Sequence, residues 1–150
     1  MNERLEQFAA QLEELVPNPV KRRLINTEHE YTALELKDLL QMLGSHLATL
    51  TAVAGKLEAE CHLLKETFKK DMSMALARNA TSATQVAIKE GEILVINKEL
   101  QQIKYMQIES EAFFLLVKSW RNAYDDAYTS ISRIVTLEIG EISLQTSRNA

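Results

Sequence analysis

The chain has 150 residues, 46% of them hydrophobic and 25% charged, with a formal net charge of −4. This is the composition of one ordered domain, not of a disordered tail, and the acidic balance excludes a uniformly basic nucleic-acid-binding surface. Four glycines and two prolines are too few for a sheet with many turns, so the expected fold is all-α.

The first predicted element covers residues 1–16, where Leu5, Phe8, Leu12 and Leu15 recur at three- and four-residue steps and Glu3, Glu6, Glu13 and Glu14 fall between them. That is the pattern of a short amphipathic helix. No basic start followed by an apolar stretch opens the chain, and no run of roughly 18 apolar residues occurs anywhere, so neither a signal peptide nor a membrane partner is expected.

Pro17 and Pro19 end the helix, because each removes a backbone donor and forces its predecessor toward extended backbone. Residues 17–26 are therefore expected to form an arm carrying the basic triplet Lys21, Arg22 and Arg23.

Thr27 followed three residues later by Glu30 fits a capping box, which starts a second helix at Glu28. From there to about Arg78 runs the chain's strongest pattern. Leu36, Leu43, Leu50, Leu57 and Leu64 stand at every seventh position, and Leu40, Leu47, Ala54, Cys61 and Phe68 fall between them. Steps of four and three average 3.5 residues, the seam of a helix packed along its length against other helices. At 1.5 Å per residue this helix would span about 77 Å, a rod that does not fit a globule of about 15 Å radius of gyration. Gly44 and Gly55 lie off the seam and weaken the helix by roughly 1 kcal/mol each without breaking it.

Asn79 to Ser82 is a cluster of turn formers, and Lys89 to Glu92 with Gly91 is the next interruption, so the connection is expected near 79–91. Ala83 to Lys89 is ambiguous, and Ile93 to Ile96 taken alone could pass for a buried strand. Continuity with Lys98 to Lys104 favours a helix from about Glu92 to Ile139, ended by Gly140 and followed by a polar tail, 140–150. Residues 27–139 thus read as a long antiparallel, coiled-coil-like hairpin. Two helices cannot cover each other's apolar stripes here, since Leu39, Val53, Phe113, Phe114, Trp120, Tyr124 and Tyr128 widen the surface beyond one seam. A homo-oligomer is the physical consequence. Its contacts are expected from Leu36, Leu40, Leu43, Leu47, Leu50, Leu57, Leu64, Phe68, Phe113, Trp120 and Tyr124.

The pattern carries no catalytic constellation. His29, His46 and His62 lack ligand spacing, the Glu-x-x-His signature of di-iron bundles is missing, and no Gly-rich phosphate loop or Cys-x-x-Cys occurs. His29 and His62 read as solvent-facing. Cys61 and His62 point about 100° apart on a helix, and Cys61 at a seam position reads as a small buried hydrophobe. No enzyme activity, metal or cofactor is expected, and the single cysteine fits a reducing cytoplasm.

Two basic clusters remain: Lys21, Arg22 and Arg23 on the arm, and Lys65, Lys69, Lys70 and Arg78 on the last turns of the long helix. They admit two readings. One is charge that complements a helix C-terminus and solvates the surface. The other is contact with a phosphate backbone, multiplied by oligomerisation. Trp120, Tyr124 and Tyr128 could likewise stack on bases or sit in a core.

A heptad helix ending in Lys69-Lys70, a loop of small residues, Glu90-Gly91-Glu92-Ile93-Leu94 opening a second long helix, and a close on Ser130-Ile131-Ser132-Arg133 before Glu138-Ile139-Gly140 together resemble the UvsY-type recombination mediators of tailed phages. The resemblance covers roughly residues 34–140. The chain departs from the family's typical opening, in its acidic charge and in a longer second helix. The resemblance implies a closed oligomer in the host-cell cytoplasm that binds single-stranded DNA and helps load a RecA-like recombinase onto DNA coated by single-strand-binding protein. It places Lys69, Lys70 and Arg78 in the region of the family's basic DNA-contact segment. The alternative is a coiled-coil scaffold or adaptor, a phage structural or host-takeover protein, that binds only protein.

Overall fold

The computed structural model describes residues 2–78 and 86–150. Among them are four helices and no strand: α1 (Asn2–Leu15), α2 (Ala33–Arg78), α3 (Val86–Ile96) and α4 (Lys98–Arg148). The all-α expectation holds, and the long helices α2 and α4 pack together. Packing divides the chain into two units, each built from parts of these helices.

One unit comprises Gln7–Val53 and Leu116–Ala150. In it Leu36, Leu43 and Leu50 of α2 are fully buried, as are Val117, Trp120, Tyr124 and Ile131 of α4 and Leu12 and Val16 at the end of α1. The two long helices run in opposite directions here. Gly44 lies against the Tyr128 ring, where an added Cβ would sit 3.4 Å from Cε2, and His46 meets the Tyr124 ring edge-on at 5.6 Å. The leucines of one heptad register bury completely while Leu40 and Leu47 of the other are half-buried, because the side facing α1 and α4 is narrower than a full stripe.

The prolines act as expected. α1 stops at Leu15, and the Val16 amide still donates to the Leu12 carbonyl at 2.9 Å. The arm is tied down: the Tyr124 hydroxyl donates to the Pro17 carbonyl at 2.6 Å, and burial of that hydroxyl pushes the phenol above its ordinary pKa. Asn18 and Lys21 both donate to Glu13 Oε1, at 3.0 and 2.9 Å. These donors hold the Glu13 carboxyl below the usual glutamate value, Asn18 contributing most.

The capping box lies five residues later than the sequence suggests. Thr27 and Glu30 fit the spacing, but the Asn26 side chain accepts from the Glu28 amide at 3.1 Å, and the His29 amide donates to the Asn26 carbonyl at 3.3 Å. An Asx turn of this kind offers the backbone an alternative to helix. The helix starts instead at Ala33, where the Thr32 hydroxyl accepts from the Glu35 amide at 3.2 Å and the Glu35 carboxylate accepts from the Thr32 amide at 3.0 Å. That bond first, and then the His29 ring, lowers the Glu35 pKa from its usual value. A carboxyl whose folded pKa is depressed stabilises the fold above its unfolded pKa, and this contribution disappears as pH falls through the folded value. In an NMR titration Glu35 should therefore show a midpoint below that of an ordinary glutamate. Thr32→Ala removes the hydroxyl that accepts from the Glu35 amide and should fray the first turn of α2; unchanged amide-exchange protection in that turn would rule out this cap.

The second unit comprises Ala54–Leu115 with the start of the chain through Glu6. Among the described residues its buried apolar side chains are few: Ala54, Leu57, Met72 and Leu100. Three polar side chains, Gln107, Glu109 and Ser110, are also buried. Arg4 approaches the buried Glu109 carboxylate at 3.3 Å, an ion pair without hydrogen-bond geometry, because Glu109 Oε2 accepts no hydrogen bond. α2 and α4 again run in opposite directions, with Lys104 Nζ 5.1 Å from the centre of the Phe68 ring.

Two expected helix ends move. The turn cluster Asn79 to Ser82 and residues 83–85 lie outside the described residues, but 86–96 are helical, so Gly91 sits inside α3 and costs only propensity. The break falls at Asn97, whose side chain accepts from the Leu100 amide at 3.2 Å as an N-cap of α4. Gly140 does not end α4. Its backbone stays out of the left-handed region that a C′ glycine adopts, no proline follows, and the helix continues through the expected polar tail to Arg148.

Candidate nucleic-acid and protein-contact surfaces

An α-helix turns 100° per residue, so Lys65 and Lys69 share one flank of α2, whereas Lys70 lies about 100° further round and Arg78 on another side. All four are exposed. Lys69 faces Glu66 at 3.8 Å; Lys65, Lys70 and Arg78 make no ion pair among the described residues. Arg78 lines a groove of about 320 Å³ with Lys89, Glu92, Ile93, Ile96 and Asn97, and Lys89 is neutralised there by Glu92 at 3.1 Å. The site is a set of separate cations spread round a helix that also carries Glu58, Glu60, Glu66 and Asp71.

The arm cluster belongs to the other unit. Lys21 is already engaged by Glu13. Arg22 and Arg23 are exposed and make no ion pair among the described residues.

No family model, curated protein or solved structure matches this chain.

The residues expected at oligomer contacts divide by burial. Leu36, Leu43, Leu50, Trp120 and Tyr124 are fully buried and Leu57 is nearly so. A side chain with no exposed surface packs the chain's own core, and that is where the structure places these residues. Leu40, Leu47, Leu64, Phe68 and Phe113 are half-buried and keep part of their surface. Tyr128 stays exposed at the edge of the core, while Trp120 and Tyr124 cannot reach a base.

Other large apolar residues face outward, among them Val20 on the arm, Leu34 and Leu63 on α2, Ile88, Val95 and Ile96 on α3, and Leu115, Leu137, Ile142 and Leu144 on α4. Sequence reasoning passed over α3. The usable signal was its composition, since Val86, Ile88, Ile93, Leu94, Val95 and Ile96 leave no side of an 11-residue helix fully polar, the mark of a helix that is surrounded.

Among the described residues no three His, Cys, Asp or Glu side chains converge as a metal site, and no helix is long and apolar enough to cross a membrane. The Cys61 thiol is half-buried. Burial first, then the carboxylates of Glu111 and Glu60, pushes its pKa up, away from the thiolate that a nucleophile requires. His62 is exposed. His29 is engaged by Glu35 at 3.2 Å and by the edge of Tyr31.

Proposed function

We propose that this chain is a self-associating helical accessory protein without turnover of its own. Its cargo is single-stranded DNA, and its protein partner is a RecA-like recombinase or a single-strand-binding protein. The observation that carries the assembly part is the thin apolar core of the unit built on Ala54–Leu115, where large apolar side chains of α3 stay in water. The DNA part rests on the cations Lys65, Lys69, Lys70 and Arg78, three of them without an ion-pair partner among the described residues, together with the family resemblance of the helix pattern. Each cation alone is weak. Copies around an oligomer act on one strand together, which multiplies the affinity without any new contact.

Binding of this kind releases counterions. With about three phosphate contacts per chain, affinity for a fluorescently labelled oligothymidylate should fall about twentyfold between roughly 50 and 200 mM salt for each chain engaged on the strand. Changing Lys65, Lys69 and Lys70 together to glutamate should abolish the anisotropy signal and leave the mass in solution unchanged. Absence of binding by the wild-type chain at about 50 mM salt would end the DNA reading.

A second reading, a scaffold that binds only protein, is favoured by the mixed charge of α2, where Glu66 and Asp71 stand among the lysines. Under it the glutamate triple variant keeps full activity in whatever assembly the protein serves.

A further inference from the structure

We propose that Lys104 of α4 is a further contact for a nucleic-acid backbone, so that a single strand crosses from α2 to α4 over the Phe68 ring, on Lys65, Lys69 and Lys104, and does not run along α2. The inference rests on the DNA reading above and names the path of the strand.

All four residues belong to the unit built on Ala54–Leu115. Lys104 Nζ sits 5.1 Å from the centre of the Phe68 ring, and Lys65 lies three positions before that ring on α2, the spacing of neighbours on one helix surface. Lys69 follows Lys65 at four positions and shares its flank. Lys65 is turned about 100° past Leu64 on the seam of α2, and Lys104 about 40° past the buried Leu100 on α4. Because the two helices are antiparallel, a turn in the same sense leads to the same side of the pair. Three cations therefore gather at one aromatic ring. Lys70 lies about 100° beyond Lys69, on the back of α2.

The ring holds its lysine in place. The Lys104 stem covers Phe68 while its head stays at the edge of water, both residues being half-buried. An ammonium over a ring face is fixed by charge and keeps its N–H groups for another acceptor. A group already in place loses little freedom when it binds. Lys104, like Lys65, makes no ion pair among the described residues; Lys69 has Glu66 at 3.8 Å, a long and exposed contact of little strength.

The carboxylates near this seam stand apart from the three cations. Glu111 and Glu60 act on the Cys61 thiol, one turn of α2 before Lys65, and Glu111 Oε1 accepts from Gln107 at 3.2 Å. Glu58 is two turns before Lys65 on its flank. Asp71 lines a groove of about 180 Å³ with Arg78 and Glu99. Gln101, one turn before Lys104, is neutral, and its side-chain amide is spent on the Leu94 and Val95 carbonyls, at 2.7 and 2.8 Å. The balance at the ring is positive, as contact with a phosphate chain requires.

The test is the salt dependence of anisotropy with a labelled oligothymidylate, since a lysine that serves only packing changes affinity without changing the number of counterions released. For each chain engaged, the wild type should lose about twentyfold between roughly 50 and 200 mM salt, and Lys104→Gln, with one contact fewer, only about sevenfold. Lys104→Arg, which keeps the charge, and Lys70→Gln should both behave as the wild type. A twentyfold loss in Lys104→Gln, or a sevenfold one in Lys70→Gln, overturns the crossing path and leaves the DNA reading standing along α2. A wild type that does not bind at about 50 mM salt overturns both. Should circular dichroism show that Lys104→Gln has lost helicity, acetylation of the wild-type protein decides. Bound oligothymidylate should protect Lys65, Lys69 and Lys104 and leave Lys70 reactive; a Lys104 that is acetylated equally with and without it overturns the contact.

Discussion

Trp120→Ala should lower the unfolding free energy by about 3–5 kcal/mol, the usual cost of deleting a large aromatic side chain from a packed core. Trp120 is 2% exposed and is the largest fully buried side chain in the molecule. It lies between Val117 and Tyr124 on the buried stripe of α4, so truncation leaves a void that the flanking residues fill only in part. A domain of this size is stable by about 5–15 kcal/mol, so the loss removes a large share. The measurement is urea unfolding followed by circular dichroism, since Trp120 is the only tryptophan and the variant has lost its fluorescence. A loss below about 1 kcal/mol would be that of a surface position, and the described core of this unit would then be wrong.

Leu50→Asp should do still more. Leu50 is 0% exposed, and a carboxylate placed there is buried with no cation assigned to it, a change of about 4 kcal/mol or more that leaves the chain unfolded or its aspartate protonated. The same substitution at Leu63, which is 67% exposed, should move stability by no more than about 0.5 kcal/mol. Thermal melts of the two variants are therefore expected to diverge widely, although both replace leucine by aspartate on the same helix. Equal melting temperatures would mean that the heptad face of α2 is not the buried one.

The heptad of α2 was the most legible feature of the sequence because hydrophobic spacing is a direct physical record of which side of a helix is covered. The same reading located the first helix, the proline arm and the second long helix. Local signals were less secure where two of them competed. Thr27-x-x-Glu30 and Thr32-x-x-Glu35 have the same spacing, and only the Asx turn at Asn26 decides between them. Gly91 and Gly140 read as breaks because glycine is a poor helix former, but a deficit of about 1 kcal/mol does not stop a helix. Asn97, with its N-cap side chain, was the less conspicuous and the effective interruption.

The candidate surfaces were legible in part. The cations of α2 could be named from their spacing, and their exposure agrees with it. Lys21 appeared free in the sequence because its partner, Glu13, sits eight positions away across two prolines. The capping of Leu94 and Val95 by Gln101 spans six and seven residues with no motif to announce it.

By itself, then, the sequence determined that the chain is helical and which faces of its long helices are apolar, because period and composition act locally. Only the tertiary structure decided which of those apolar residues the chain keeps for itself. The leucines of α2 that looked like contacts for another chain, Leu36, Leu43 and Leu50, are used up inside, since burial depends on which helices meet and how wide a stripe they cover. Large apolar side chains left exposed lie on α3 and toward the end of α4, among other places, where no heptad pointed.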